Sequence, residues 1–142
     1  KLNMQGGAAF TELFADIEQT IEACATSSHP DLPALAERLD EGLDSLREAA
    51  TWLQTADPGD VLAGATPFLT LAGEVIGGWM LCIGAVAARR RQKEKLGDPV
   101  FAAQRIALAG FYCEAVLTLA HARVDDVTMG VEMISDVGFG LD

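Results

Sequence analysis

Two carboxylates set inside apolar stretches, Glu74 and Glu114, are the residues of this chain best suited by type and setting to acid–base chemistry. A carboxyl group withdrawn from water keeps its proton to higher pH and can exchange it with a substrate. Helical spacing places no histidine, lysine or nucleophile beside either of them. The simpler role is structural: each is satisfied by Trp79 or by an arginine from a neighbouring helix or chain. If the segments that carry them are antiparallel about Lys95–Gly97, Trp79 comes level with Glu114 and an indole-to-carboxylate hydrogen bond is expected. Helical di-iron centres need Glu-x-x-His, yet Thr26 and Thr118 stand three residues before His29 and His121. The three cysteines, Cys24, Cys82 and Cys113, are far apart, each among apolar neighbours and without CxxC spacing. They read as small buried hydrophobes of a reducing compartment, not as a disulfide framework or a zinc site. No Walker loop, dinucleotide glycine fingerprint or nucleophile elbow occurs. The residues therefore nominate no catalytic, cofactor-binding or metal-ligating position.

The elements around these residues read as helices. Phe10, Leu13, Phe14, Ile17, Ile21 and Cys24 recur at three and four residues, opposite Glu12, Asp16, Glu18 and Glu22. That spacing predicts an amphipathic helix ending near Thr26-Ser27-Ser28. His29-Pro30-Asp31-Leu32-Pro33 is a connector with Asp31 as the expected N-cap. A second stripe, Leu32, Leu35, Leu39, Leu43, Leu46, Ala50 and Leu53, faces away from Glu37, Arg38, Asp44 and Glu48 and stops at the turn Asp57-Pro58-Gly59-Asp60. The third segment runs from Val61 to Lys95, and Glu74 is its only charge before Arg89. Pro67 either opens this helix with Thr66 as cap or kinks one already running from Asp60; the sequence leaves both open. Its basic end meets the negative pole of the helix dipole, and Gly97 is the expected stop. Asp98-Pro99 opens a fourth helix, to about Val124. Val127, Met129, Val131, Met133 and Ile134 suffice for a short last helix, and Gly138 and Gly140 suggest a frayed end. The whole, residues 1–142, reads as one all-α domain: an up-down-up-down four-helix bundle with a short C-terminal helix.

Composition narrows the function. A chain of 142 residues suits one domain and can fold without disulfide or metal. A formal net charge of −11 repels phosphate backbones and anionic lipid, so nucleic acid is not an expected partner. The cluster Arg89-Arg90-Arg91, Lys93 and Lys95 contains Glu94 and reads as a solvated helix end. The third and fourth helices are apolar nearly all round, more than one bundle can enclose, so a partner is expected to cover them. Gly73-x-x-x-Gly77 resembles a close-packing helix face, and Val61–Ala88 is long enough to span a bilayer, with the arginines as an anchor. Glu74 at mid-span, Pro67, the fourth helix's Arg105, Glu114, His121 and Arg123, and two amphipathic helices argue for burial by protein instead. Lys1-Leu2-Asn3-Met4 leads into small residues without a signal-peptide pattern, which suggests a cytoplasmic piece of a longer chain.

The stretch Ala65-Thr66-Pro67-Phe68-Leu69-Thr70-Leu71-Ala72-Gly73-Glu74-Val75-Ile76-Gly77-Gly78-Trp79 resembles one in the extra C-terminal helical domain of a bacterial acyl-CoA dehydrogenase subgroup, the 3-methylmercaptopropionyl-CoA dehydrogenase-like enzymes. The similarity continues through Ala85-x-Ala87-Ala88, the charged linker and Ala107–Ala122. Lys1-Leu2 and Gly6-Gly7-Ala8-Ala9 look like the junction between dehydrogenase core and extra domain. The resemblance implies that the catalytic glutamate and the flavin-binding domains precede this chain, so no catalytic or flavin residue carries over. It implies a non-catalytic accessory domain whose parent oxidises acyl-CoA to enoyl-CoA with FAD. Its partners would be the dehydrogenase core of the same polypeptide and further copies in a homo-oligomer, with no membrane. Thr118 stands where relatives often have proline, which implies a straighter fourth helix. A free-standing helical adaptor and a membrane hairpin are the competing readings.

Overall fold

The computed structural model describes residues 2–135, all of them in helices or short connections, with no strand among them. The helices are α1 (Leu2–Ala25), α2 (Leu32–Thr55), α3 (Pro58–Lys93), α4 (Pro99–Ala115), α5 (Ala120–Thr128) and α6 (Gly130–Ser135), with a 3-10 turn at Leu117–Leu119. The all-α expectation holds. Gly138 and Gly140 lie outside the described residues.

The core is organised on α2, the helix with the cleanest stripe. Leu32, Leu35, Leu39, Leu43 and Leu46 are buried together with Ile17 and Cys24 of α1, Leu71 and Val75 of α3, Ile106 and Cys113 of α4, and Val124 and Val127 of α5. Full burial of a side chain of this size is worth about 1.5–3 kcal/mol, so one face of α2 supplies much of the driving force. Opposed contacts fix the direction of its neighbours. Gly42 and Leu53 of α2 meet Val75 and Gly64 of α3, and Gly77 and Gly84 of α3 meet Tyr112 and Arg105 of α4. In both pairs the sequence numbers run in opposite senses, as short connections demand.

Helix boundaries depart from the expectations in instructive places. α1 begins before Phe10, at Leu2. Asp31 sits at the N-cap position of α2 but makes no side-chain capping bond, because its backbone is already helical (φ −92°, ψ −20°). Its N–H donates instead to His29 Nδ1 at 3.2 Å. Thr66 is not a cap. α3 starts at Pro58 and runs through Pro67, so proline occupies both its first turn and its interior. At the other end Lys95, not Gly97, takes the first left-handed position, with φ 54°. The bonds Lys95 N–H to Gln92 O (3.2 Å) and Leu96 N–H to Arg91 O (2.9 Å) then close the helix in a Schellman arrangement. Asp98 does cap α4, accepting from Val100 N–H at 2.9 Å.

The expected straight fourth helix to Val124 is overturned. α4 ends at Ala115, and Val116 (φ −113°) leads into the 3-10 turn. No proline is needed. Leu117 is buried by the break, and its methyls fill the notch between Gly42 and Gly78; a Cβ on Gly78 would stand 2.8 Å from Leu117 Cδ1. The space left by two glycines pulls one leucine inward, and the backbone tightens to deliver it.

Candidate functional site

The carboxylates singled out by sequence are both held by arginines. Glu74 projects from α3 to Arg123 of α5 in a two-pronged pair, Nη2 to Oε1 at 3.0 Å and Nε to Oε2 at 3.3 Å. Such a fork fixes geometry as well as charge. The Glu74 side chain is 18% exposed, so the pair is partly withdrawn from water. Beside it, Tyr112 of α4 donates its hydroxyl to the backbone carbonyl of Glu74 at 2.8 Å. Burial first, then the Glu74 charge, pushes the Tyr112 phenol above its ordinary value. Glu114 is more exposed and accepts from Arg38 Nε of α2 at 2.9 Å, while Glu41 shares the same guanidinium. The expected Trp79–Glu114 bond is not made. Trp79 faces α1 and donates to Thr20 Oγ1 at 2.8 Å. Each glutamate thus serves as a tie between helices that are distant in sequence: α3 to α5, and α2 to α4.

The structure joins what the sequence scattered. Cys24, Cys82 and Cys113 come from three helices and are all buried in one cluster, with Cys82 Sγ 3.9 Å from Cys113 Sγ. Hydrogen bonding to Cys113, then to Cys24, and burial hold the Cys82 thiol well above its ordinary value, so it stays neutral and packs as a hydrophobe. Periodicity does put all three on the inward faces, but only the helix pairing brings them level. His29 and His121 are not part of the cluster: His29 lies in the α1–α2 connection and His121 is exposed on α5. Among the described residues no group of three or more His, Cys, Asp or Glu is placed to hold a metal ion.

The concave surface is shallow. A cleft of about 400 Å³ between α3 and α5 is lined by Ala63, Thr66, Pro67, Thr70, Arg123 and Met129, and its arginine is already engaged by Glu74. A second, of about 310 Å³, lies where α3 gives way to α4, between Ala87, Leu96, Phe101 and Arg105. Sites for drug-sized ligands occupy about 300–1,000 Å³ and enclose most of the ligand. Both clefts fall at the lower end of that range and lie open to solvent. No reaction step is assigned to them.

What the surface does present is apolar. On α3, Leu62, Leu69, Met80 and Ile83 face solvent, and on α4 Val100, Phe101, Leu108 and Phe111 do. Two segments, Pro58–Lys93 and Pro99–Thr128, are long and apolar enough to cross a membrane by length and composition, with only 33% and 28% of their most apolar windows buried. Gly73 has open space around it, so Gly73-x-x-x-Gly77 is not one packed face; Gly77 alone abuts a neighbour, the Tyr112 hydroxyl.

Residues 13–137 match the family model described as "Acetyl-CoA dehydrogenase C-terminal like". The chain is 30% identical over 133 residues to the 3-methylmercaptopropionyl-CoA dehydrogenase of Ruegeria pomeroyi, an alignment covering 87% of this chain and 22% of that protein. No solved structure matches it. The chain therefore spans under a quarter of its relative's length, and, with its family model matching nearly end to end, it belongs to the acetyl-CoA dehydrogenase C-terminal-like family.

Proposed function

We propose that this chain is an accessory and interaction domain of an FAD-dependent acyl-CoA dehydrogenase, itself without catalytic residues. Acyl-CoA oxidation moves an α-proton to a carboxylate and a β-hydride to flavin, which requires a dry and shaped cavity. In this reading the domain covers that region or supports assembly of a cytoplasmic homo-oligomer, and its first partner is the dehydrogenase core of the same polypeptide. The observation that carries it is the solvent-facing apolar surface of α3 and α4 on a chain whose relative is four to five times longer. The up-down-up-down arrangement of the four long helical segments belongs to the same proposal. The opposed contacts of α2 with α3 and of α3 with α4 support it.

The test is removal of this domain from the full-length enzyme. Acyl-CoA oxidation or oligomeric state should fall, while the remaining core keeps its flavin. Unchanged activity and unchanged assembly, or stoichiometric flavin on the isolated 142-residue chain, would refute the proposal. A membrane hairpin is the second reading, favoured by the two membrane-length segments. A free-standing adaptor would instead lack any dehydrogenase core encoded upstream in the same reading frame.

A further inference from the structure

α3 carries two apolar faces on opposite sides. One, Gly64, Leu71, Val75, Gly78, Cys82 and Ala85, is buried in the core. The other is a seam at alternating three- and four-residue steps: Leu62, Thr66, Leu69, Gly73, Ile76, Met80, Ile83 and Ala87. Leu62 is 80% exposed, Leu69 69%, Met80 53% and Ile83 41%. That spacing is the pattern by which one helix receives another, knobs into holes. The seam extends over about 38 Å at 1.5 Å per residue.

The pattern also says which helix fits. Turned end for end about a two-fold axis between Glu74 and Val75, the seam complements itself layer by layer. Leu62 falls opposite Ala87, Thr66 opposite Ile83, Leu69 opposite Met80, and Gly73 opposite Ile76. Three of these four layers pair a small side chain with a large one, as interdigitated packing requires. The charges follow the same symmetry. α3 opens with Asp57 and Asp60 and closes with Arg90, Arg91 and Lys93. Among the described residues no carboxylate lies within ion-pair distance of those three cations. In the antiparallel register the basic last turn of one copy lies beside the acidic entry of the other, where Asp57 is exposed and Asp60 accepts from Val131 N–H at 2.8 Å. In a parallel pair the basic ends would lie side by side and repel. Opposed helix dipoles favour the same choice.

Resting on the interaction-domain reading above, we infer that α3 pairs antiparallel with α3 of a second copy of this chain, through the seam Leu62–Ala87, with the basic last turn of each helix beside the acidic entry of the other. A self-complementary patch of this kind closes into a dimer and leaves no surface for further growth.

The test uses the 142-residue chain in sedimentation equilibrium with cysteine cross-linking. The chain should be a dimer at micromolar concentration. Leu69→Glu, at a site open to water in the monomer, should weaken the dimer at least tenfold with the helical circular dichroism unchanged. Arg90→Glu should weaken it less, and Phe111→Ser on α4 should leave it as it is. When Leu69→Cys and Met80→Cys chains are mixed and oxidised, mixed cross-linked dimers should form in preference to either homodimer. A monomer across this range, equal loss from Phe111→Ser, or Leu69→Cys homodimers in place of mixed ones would each overturn the inference. None of these results touches the domain-removal test on the full-length enzyme, so failure here and failure of the accessory-domain reading remain distinguishable.

Discussion

At the scale of single residues, the glycines of the long helices divide by what stands opposite them. A glycine inside a helix costs up to about 1 kcal/mol against alanine, so each needs either close packing or open tolerance. A Cβ on Gly64 would lie 2.6 Å from the Val127 carbonyl oxygen, a backbone atom that cannot turn aside. Gly64→Ala should therefore destabilise by about 1–3 kcal/mol, as overpacking does. Gly110 has only Leu35 Cδ2 within reach, at 4.0 Å. Gly110→Ala should stabilise by up to about 1 kcal/mol. Urea midpoints that moved the same way for both variants would contradict this division. Tyr112 supplies a second residue-scale handle, because it is the chain's one tyrosine and its phenolate absorbance has no other source. Its folded pKa lies above the ordinary phenol value of 10.0, burial being the larger cause. The stabilisation linked to it is complete below pH 10 and is lost as pH rises through the folded value, since the unfolded chain gives up this proton first. Native protein should thus titrate at higher pH than urea-unfolded protein, and Tyr112→Phe should flatten the alkaline decline of the unfolding midpoint. A native titration at or below the unfolded one would remove the effect.

At the scale of elements, the inward stripes were legible and the ends were not. The residues Leu32, Leu35, Leu39, Leu43 and Leu46, read from spacing alone, are the buried face of α2. Spacing is a property of one helix and needs no neighbour. The break at Val116, by contrast, depends on Gly42 and Gly78, which lie on two other helices. No local signal at Thr118 could announce it. The carboxylates were legible in role, as ion-paired struts, but not in partner. Arg38 and Arg123 are 76 and 49 residues away from Glu114 and Glu74, and the register of packed helices decides such pairings. The C-terminus of α3 shows the same dependence. Gly97 looked like the stop, yet the Schellman geometry forms two residues earlier and puts Lys95 at φ 54°. A side chain held there costs about 1–2 kcal/mol. Lys95→Gly should therefore raise stability by about 1 kcal/mol after the added freedom of the unfolded chain is offset. Loss of stability in thermal unfolding would mean that the Lys95 side chain makes a stabilising contact the geometry does not show.

At the scale of the whole molecule, the decisive question is whether lipid or protein covers α3 and α4. By length and composition alone both segments could span a bilayer. Their neighbours argue otherwise. Phe10 of α1 stacks edge-on against Phe68 with ring centroids 5.9 Å apart, and Thr20 of α1 receives Trp79 farther along the same helix. α2 is tied to α4 through Arg38 and Glu114. α1 and α2 therefore line the span-length helices over several turns, while Glu12, Asp16, Glu22, Asp40 and Glu48 point outward to solvent. Carrying α3 and α4 into hydrocarbon would either drag those carboxylates in or strip both amphipathic helices from the core. Intramembrane charge is costly on every scale, and loss of the α2 stripe would remove the most completely buried leucines of the fold. The chain should accordingly remain in the supernatant after detergent-free lysis and high-speed centrifugation. It should also bind an apolar dye such as ANS through the uncovered faces, and the bound dye should fall as self-association rises with concentration. Recovery in the membrane pellet that only detergent releases would place these helices in lipid and end the interaction-domain reading.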